Sequence, residues 1–252
     1  MTSIGGDQLG SRHRSLPTHV RRWVLGSTGA VAAVMVLFVA TTASNRVVET
    51  AELKQMFDIG RESNVPTLVN TVLLVTVAAL AAGLALLRRD DRKLRRSVWW
   101  VAAIVTLLAV DEATGLHERF GGPAGRWLER VGIDWPTYAW LVPGIAVVCV
   151  GGVVSWRVGR HLPRVLGRRL TIAAGIFFAG AIGMEGVNGW LRDRPNRPGY
   201  FVGTMVEEIL EMMACVYAGV ALLRMVAVDA SRGRITITAA DADREAQRLP
   251  RH

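Results

Sequence analysis

Six blocks of the chain, at about 23–43, 67–87, 98–117, 137–156, 170–190 and 203–226, are apolar almost throughout. A run of about 18 or more apolar residues reads as a membrane span, because about 20 residues of helix cross the hydrocarbon. In lipid every backbone N–H and C=O must be satisfied within the segment, so such blocks are helices. The expected fold class is therefore an all-α integral membrane protein, a bundle of six transmembrane helices over residues 21–228. Residues 1–20 are polar and read as a disordered cytoplasmic N-terminus, and 229–252 as a charged cytoplasmic tail that can form a short helix over 239–249. Little chain is left for a soluble domain, so the 51% hydrophobic content belongs to the spans.

A net charge of +9 first suggests a nucleic-acid partner. Its distribution argues against one. Of the 30 basic residues, four lie before the first span, six in 88–96, five in 157–169 and six at the C-terminal end; the other three connections carry only nine. Alternation of this kind is what the positive-inside rule produces. It places both termini in the cytoplasm and the protein in the plasma membrane, with basic clusters set against anionic lipid. The first apolar block exceeds the 7–15 residues of a signal-peptide core and is followed by a poor cleavage site, so it reads as a retained anchor. Cys149 and Cys215 fall inside predicted spans and read as small buried residues rather than a disulfide framework. Tryptophans and tyrosines, Trp140 among them, flank the spans as interfacial anchors. The connections at 44–66 and 118–136 read as interfacial segments, with Pro66 starting the second span.

The stretch LLAVDEATGLHERFGG, residues 107–122, breaks the apolar pattern. Ionisable groups at membrane depth are costly and usually line a cavity, pair with one another or bind something. Under the predicted topology, Asp111, Glu112, His117 and Glu118 end the third span at the outer surface. Glu185 lies near the outer end of the fifth span, and Glu207, Glu208 and Glu211 fall in the first turns of the sixth. Asp58, Glu62 and Asn64 sit in the first outer connection. The inner halves of the spans contain no comparable cluster. At about 100° per residue, Asp111 and Glu118 share a helix face, whereas Glu112 and His117 point away in opposite directions. An unbroken helix would turn His117 from the acids; Gly115 offers a place for it to loosen. Two of the three glutamates on the sixth span can share an inward face, with the arginines of LRDRPNRPGY available to the third.

The segments FDIGRESNVPT, DEATGLHE, MEGVN and VEEILEM together resemble a group of largely uncharacterised bacterial multi-pass membrane proteins, in which D-x3-E-x-N-x-P-T, D-E-x4-H-E and E-E-x2-E-M patterns recur. The resemblance covers about 57–213. It supports the topology and the choice of site residues and implies no particular chemistry.

Carboxylates and one histidine brought together from several helices are the ingredients of a metal centre. Asp111, His117, Glu118, Glu185, Glu207 and Glu211 are the candidate ligands for a divalent ion: iron, manganese, zinc or calcium. Glu112, His117 and Glu208 are the candidate acid–base groups, and Asp58, Glu62 and Asn64 the candidate supporting groups. A two-histidine di-iron centre is disfavoured, because only one histidine lies near the acids and Glu-x-x-His is absent. A site open to the outer leaflet suits a metal-dependent enzyme with a lipid-like substrate. Two alternatives stand beside it: an accessory subunit whose acids pair with arginines of its own loops or of a membrane protein partner, and a cation or proton transporter. Transport would need a polar path through the apolar inner halves.

Overall fold

The computed structural model describes residues 17–43, 55–57, 64–192, 197–231 and 234–239. Its long elements are helices: α1 (Thr18–Ala43), α2 (Val65–Leu87), α3 (Arg92–Thr114), α6 (Leu141–Gly159), α7 (Arg164–Phe178) and α9 (Arg197–Leu223). Two short helices, α4 (Leu116–Arg119) and α5 (Gly121–Arg130), follow α3. A six-residue π-turn, Ala179–Met184, joins α7 to α8 (Glu185–Arg192) without interrupting the rod.

Five helical rods are long and apolar enough to cross a membrane: 18–40, 65–87, 92–114, 141–159 and 164–192. α9 is as long as these, but Glu207, Glu208 and Glu211 keep its composition from qualifying. All six apolar blocks are thus helical. Their ends move for local reasons. α3 begins at Arg92, inside the basic run, because Asp91 caps it by accepting from the N–H groups of Lys93 and Leu94 at 3.0 and 2.9 Å. α6 begins only at Leu141, since 131–140 is turn and extended chain. After α9 the chain enters an antiparallel hairpin of β1 (Val226–Ser231) and β2 (Arg234–Ala239), where the sequence reading has the end of a span and a tail. Most of the helix expected over 239–249 lies outside the described residues.

The α2–α3 hairpin and α9 form the centre. α9 packs on α1, α2, α7, the π-turn and α8, while α6 lies at the periphery against α3. Leu74, Val77, Ala81, Leu84, Val98, Leu166, Met212, Cys215 and Leu222 fill one continuous apolar core. Cys215 is buried as expected, but Cys149 is exposed on the outward face of α6; both are free thiols. The helices alternate in direction. His19 at the start of α1 lies 3.3 Å from the carbonyl of Leu223 at the end of α9, and Phe38 stacks on Phe201 at their other ends. Ser97 Oγ donates to the Val158 carbonyl at 2.7 Å, tying the start of α3 to the end of α6. The basic links 88–96 and 157–169 therefore share one end of the bundle. The opposite end gathers the start of α2, the end of α3, the start of α6, α8 and the first half of α9.

Candidate functional site: an acidic pocket at one end of the bundle

The C-terminus of α3 decides where His117 goes. Gly115 adopts φ 56° and ψ 39°, the left-handed conformation, and its N–H bonds the Asp111 carbonyl. A residue without Cβ takes this conformation at little cost, and it ends the helix. The chain folds back into α4. The backbone N–H of His117 then donates to Asp111 Oδ1 at 2.9 Å, and His117 Nδ1 lies 3.0 Å from Asp111 Oδ2. One carboxylate thus grips the histidine at two points. The unbroken-helix geometry, which separates His117 from Asp111, is overturned by this single residue. Gly115→Ala is expected to destabilise the protein by about 1–2 kcal/mol, with Gly115→Asn recovering most of the loss. Chemical denaturation of the two variants in detergent checks this.

From His117 the site continues through Trp140. The two rings lie with centroids 4.6 Å apart, and Trp140 Nε1 donates to Glu185 Oε1 at 3.0 Å. Trp140, read from the sequence as an interfacial anchor, is in fact buried. Glu185 and Glu207 lie within hydrogen-bond reach of one another. Glu207 Oε2 also accepts from Asn188 Nδ2 at 2.6 Å. These partners meet because the π-turn lets its rod press against α9. A Cβ on Gly180 would stand 2.9 Å from the Glu207 carbonyl and 3.0 Å from Glu211 Cγ. Close helix packing therefore falls at Gly180. π-Turns inside helices are often found at functional sites.

The deepest part of the site belongs to α2, α3 and α9. Asn70 is fully buried, and its Nδ2 donates to Glu211 Oε2 at 3.1 Å. Glu112 is a second hydrogen-bond partner of Asn70. Glu211 is 7% exposed, and half-buried Glu208 lies close enough to repel it electrostatically. The Asn70 Oδ1 atom is buried and has no hydrogen-bond partner among the described residues. At the mouth, Arg192 stacks on the Tyr138 ring at 4.8 Å, and burial and a hydrogen bond with Tyr200 push the Tyr138 phenol above its usual range.

Asp111, Glu112, His117, Glu185, Glu207, Glu208 and Glu211 thus come together at one end of the bundle. Glu118 stands at their rim: the α4 turn leaves its side chain exposed, yet close enough to Glu185 to repel it. Asn64 caps α2, its Oδ1 accepting from Thr67 N and Thr67 Oγ1, each at 3.0 Å, with Pro66 in the first turn as expected. Asp58 and Glu62, with most of the 44–66 connection, lie outside the described residues. Asn70, Asn188 and Trp140 are site residues that the sequence reading missed. Among the described residues, no three His, Cys, Asp or Glu side chains stand in metal-ligand geometry. Nor does an arginine or lysine among them form an ion pair with Asp111, Glu112, Glu185, Glu207 or Glu211; Asp111 pairs with His117. The pocket is a set of oxygen acceptors joined through amide, indole and imidazole donors.

No curated protein and no solved structure matches this chain. A family model described as a domain of unknown function, DUF8692, matches residues 27–226, so the segment that builds both the bundle and the pocket places the chain in that family.

Proposed function

We propose that this chain is a six-span plasma-membrane protein, with both termini cytoplasmic, whose acidic pocket binds a divalent metal ion at the extracytoplasmic end. The metal-loaded pocket is read as an enzyme site for a lipid-like substrate. The alternating helix directions support six crossings, with α9 as the sixth, and the segregation of the basic links supports the orientation.

One observation carries the metal reading. Asn70 Oδ1 is a buried acceptor without a partner among the described residues, while the two N–H groups of the same amide serve Glu211 and Glu112. Buried acceptors left unsatisfied cost about 1–3 kcal/mol each, and buried carboxylates need a proton or a countercharge. A cation supplies both deficits at once. Glu112, Glu211 and the Asn70 carbonyl oxygen would hold it, closing on the ion by side-chain rotation, since no ready-made cage exists among the described residues. This hard oxygen set suits manganese, iron or calcium, and zinc if His117 joins. Held by Asp111, His117 is the proton carrier, and a bound ion would supply Lewis acidity. Exposed Leu116, Phe120 and Trp127 beside the pocket favour a lipid-like substrate over a polar one.

Proton or cation conduction fits less well. Beyond Asn70 and Glu211, α2 and α9 meet through Leu74, Val77, Ala81, Met212 and Leu222, and among the described residues neither helix buries a further polar side chain toward the other end. The accessory-subunit reading is less favoured, because among the described residues Asp111, Glu112, Glu185, Glu207 and Glu211 meet imidazole, amide and indole donors rather than arginines. Elemental analysis of protein purified from membranes without added metal tests the proposal. About one ion per chain is expected; metal-free protein that also fails to take up manganese, iron, zinc or calcium on titration overturns it.

A further inference from the structure

The opposite end of the bundle carries a second feature. A cavity of about 570 Å³ opens at the tip of the α2–α3 hairpin, lined by Leu86, Arg89, Arg92, Arg95, Arg96 and Trp99. Its construction follows from helix geometry. Arg92, Arg95, Arg96 and Trp99 stand at i, i+3, i+4 and i+7, so they share one face of α3. Arg89 and Leu86 face them from the end of α2. Arg95 Nη1 reaches the Arg89 carbonyl at 3.5 Å, which draws the two walls together. Among the described residues none of these four guanidinium groups forms an ion pair. The nearby Asp91 carboxylate is occupied with capping α3. Trp99 is 44% exposed and Leu86 55% exposed, so the polar rim continues directly into apolar surface on the outside of the bundle.

We propose that this cavity binds an anionic phospholipid, its phosphodiester held by the arginine fork and its acyl chain lying along Leu86 and Trp99. Guanidinium groups bind phosphate oxygens in pairs, and four of them converging on one opening, three exposed and Arg95 half-buried, form a ready anion site. A free phosphate would meet the charge but leave the exposed indole and leucine in water. The lipid satisfies both halves of the site. Basic pockets between spans on the cytoplasmic side are the usual place for such head groups. This inference shares the six-span placement with the proposed function and is independent of the acidic pocket's chemistry.

Native mass spectrometry of the full-length protein in detergent tests it, with three additions: phosphatidylglycerol, phosphatidylcholine and inorganic phosphate. Phosphatidylglycerol should be retained in preference to phosphatidylcholine. Each arginine removed should weaken it about fivefold, so the Arg92→Gln/Arg96→Gln variant should bind about 25-fold more weakly. An Arg164→Gln/Arg168→Gln variant changes the same charge at the same end, away from the cavity, and should bind like the native protein. Arg92→Lys/Arg96→Lys should fall between, and circular dichroism confirms that each variant is folded. Equal retention of the two lipids overturns the proposal. So does equal loss in the 164/168 variant, which would make the effect general electrostatics. Displacement of the lipid by millimolar phosphate would reassign the cavity to a small anion.

Discussion

Glu211→Gln is expected to empty the pocket of metal while leaving the fold intact. Glutamine has nearly the shape of glutamate, and its amide oxygen can still accept from Asn70 Nδ2, now 3.1 Å from the carboxylate. The buried site therefore keeps its volume and its principal hydrogen bond. What disappears is the anionic oxygen that the most buried acid of the pocket would offer to an ion. Losing a residue that merely orients a metal ligand costs about 10–100-fold in affinity, so losing a charged ligand should cost at least about 100-fold. Asn70→Ala should also lose the ion, because the Asn70 carbonyl oxygen goes with it, and should in addition destabilise the chain by exposing Glu211 to an unpaired interior. Glu118→Gln should bind metal much as the native protein does, since Glu118 is exposed at the rim and is not among the buried donors. Manganese titration of the three variants, with circular dichroism to establish folding, checks this. A Glu211→Gln protein that binds as tightly as the native one would remove Glu211 from the site.

The contrast between Glu118 and Asn70 shows what a sequence of this kind makes legible. Span positions are readable because a single physical requirement, some 20 apolar residues in a row, dominates everything else. The shared depth of the acids is readable for the same reason, since helix direction follows from counting spans. Which side chains converge is not, because it depends on angles set at single residues. Gly115 turns the helix by taking a left-handed conformation, and that reverses the side on which His117 emerges and strands Glu118 in the open. The π-turn adds a residue to one turn of the rod before Glu185 and shifts the facing of all that follows. Asn70 and Asn188 carry a weaker signal than the acids. Each is an uncharged amide in an otherwise apolar stretch, and a buried amide needs partners as surely as a carboxylate does. Trp140 is ambiguous in sequence, because an indole at a span's end fits an interfacial anchor equally well. The β-hairpin at 226–239 begins within the last apolar block, and its alternation in RITITA is too short to outweigh the helix before it.

Gly203→Ala tests the wall of the pocket that the acids do not form. A Cβ at this position would fall on Asn188 Oδ1, which lies directly against the Gly203 backbone. Asn188 is 2% exposed and has nowhere to retreat. It must rotate, and rotation breaks its 2.6 Å bond to Glu207. A hydrogen bond to a carboxylate contributes about 1.5–3 kcal/mol, and overpacking a filled site costs about 1–3 kcal/mol. Against this, alanine gains up to about 1 kcal/mol over glycine inside a helix. The net expectation is a loss of about 2–5 kcal/mol, a large share of a typical domain's stability. Asn188→Ala alone should also destabilise, by leaving Glu207 without its amide donor. The two losses should not add: once Asn188 is alanine, the space over Gly203 is open, and the second substitution should be neutral or slightly stabilising through helix propensity. Contacting residues commonly show interaction energies of about 0.5–3 kcal/mol in such cycles. Thermal unfolding of the four proteins in one detergent measures the coupling. Additive losses would mean that Asn188 and Gly203 do not touch, and that α8 and α9 meet in some other register.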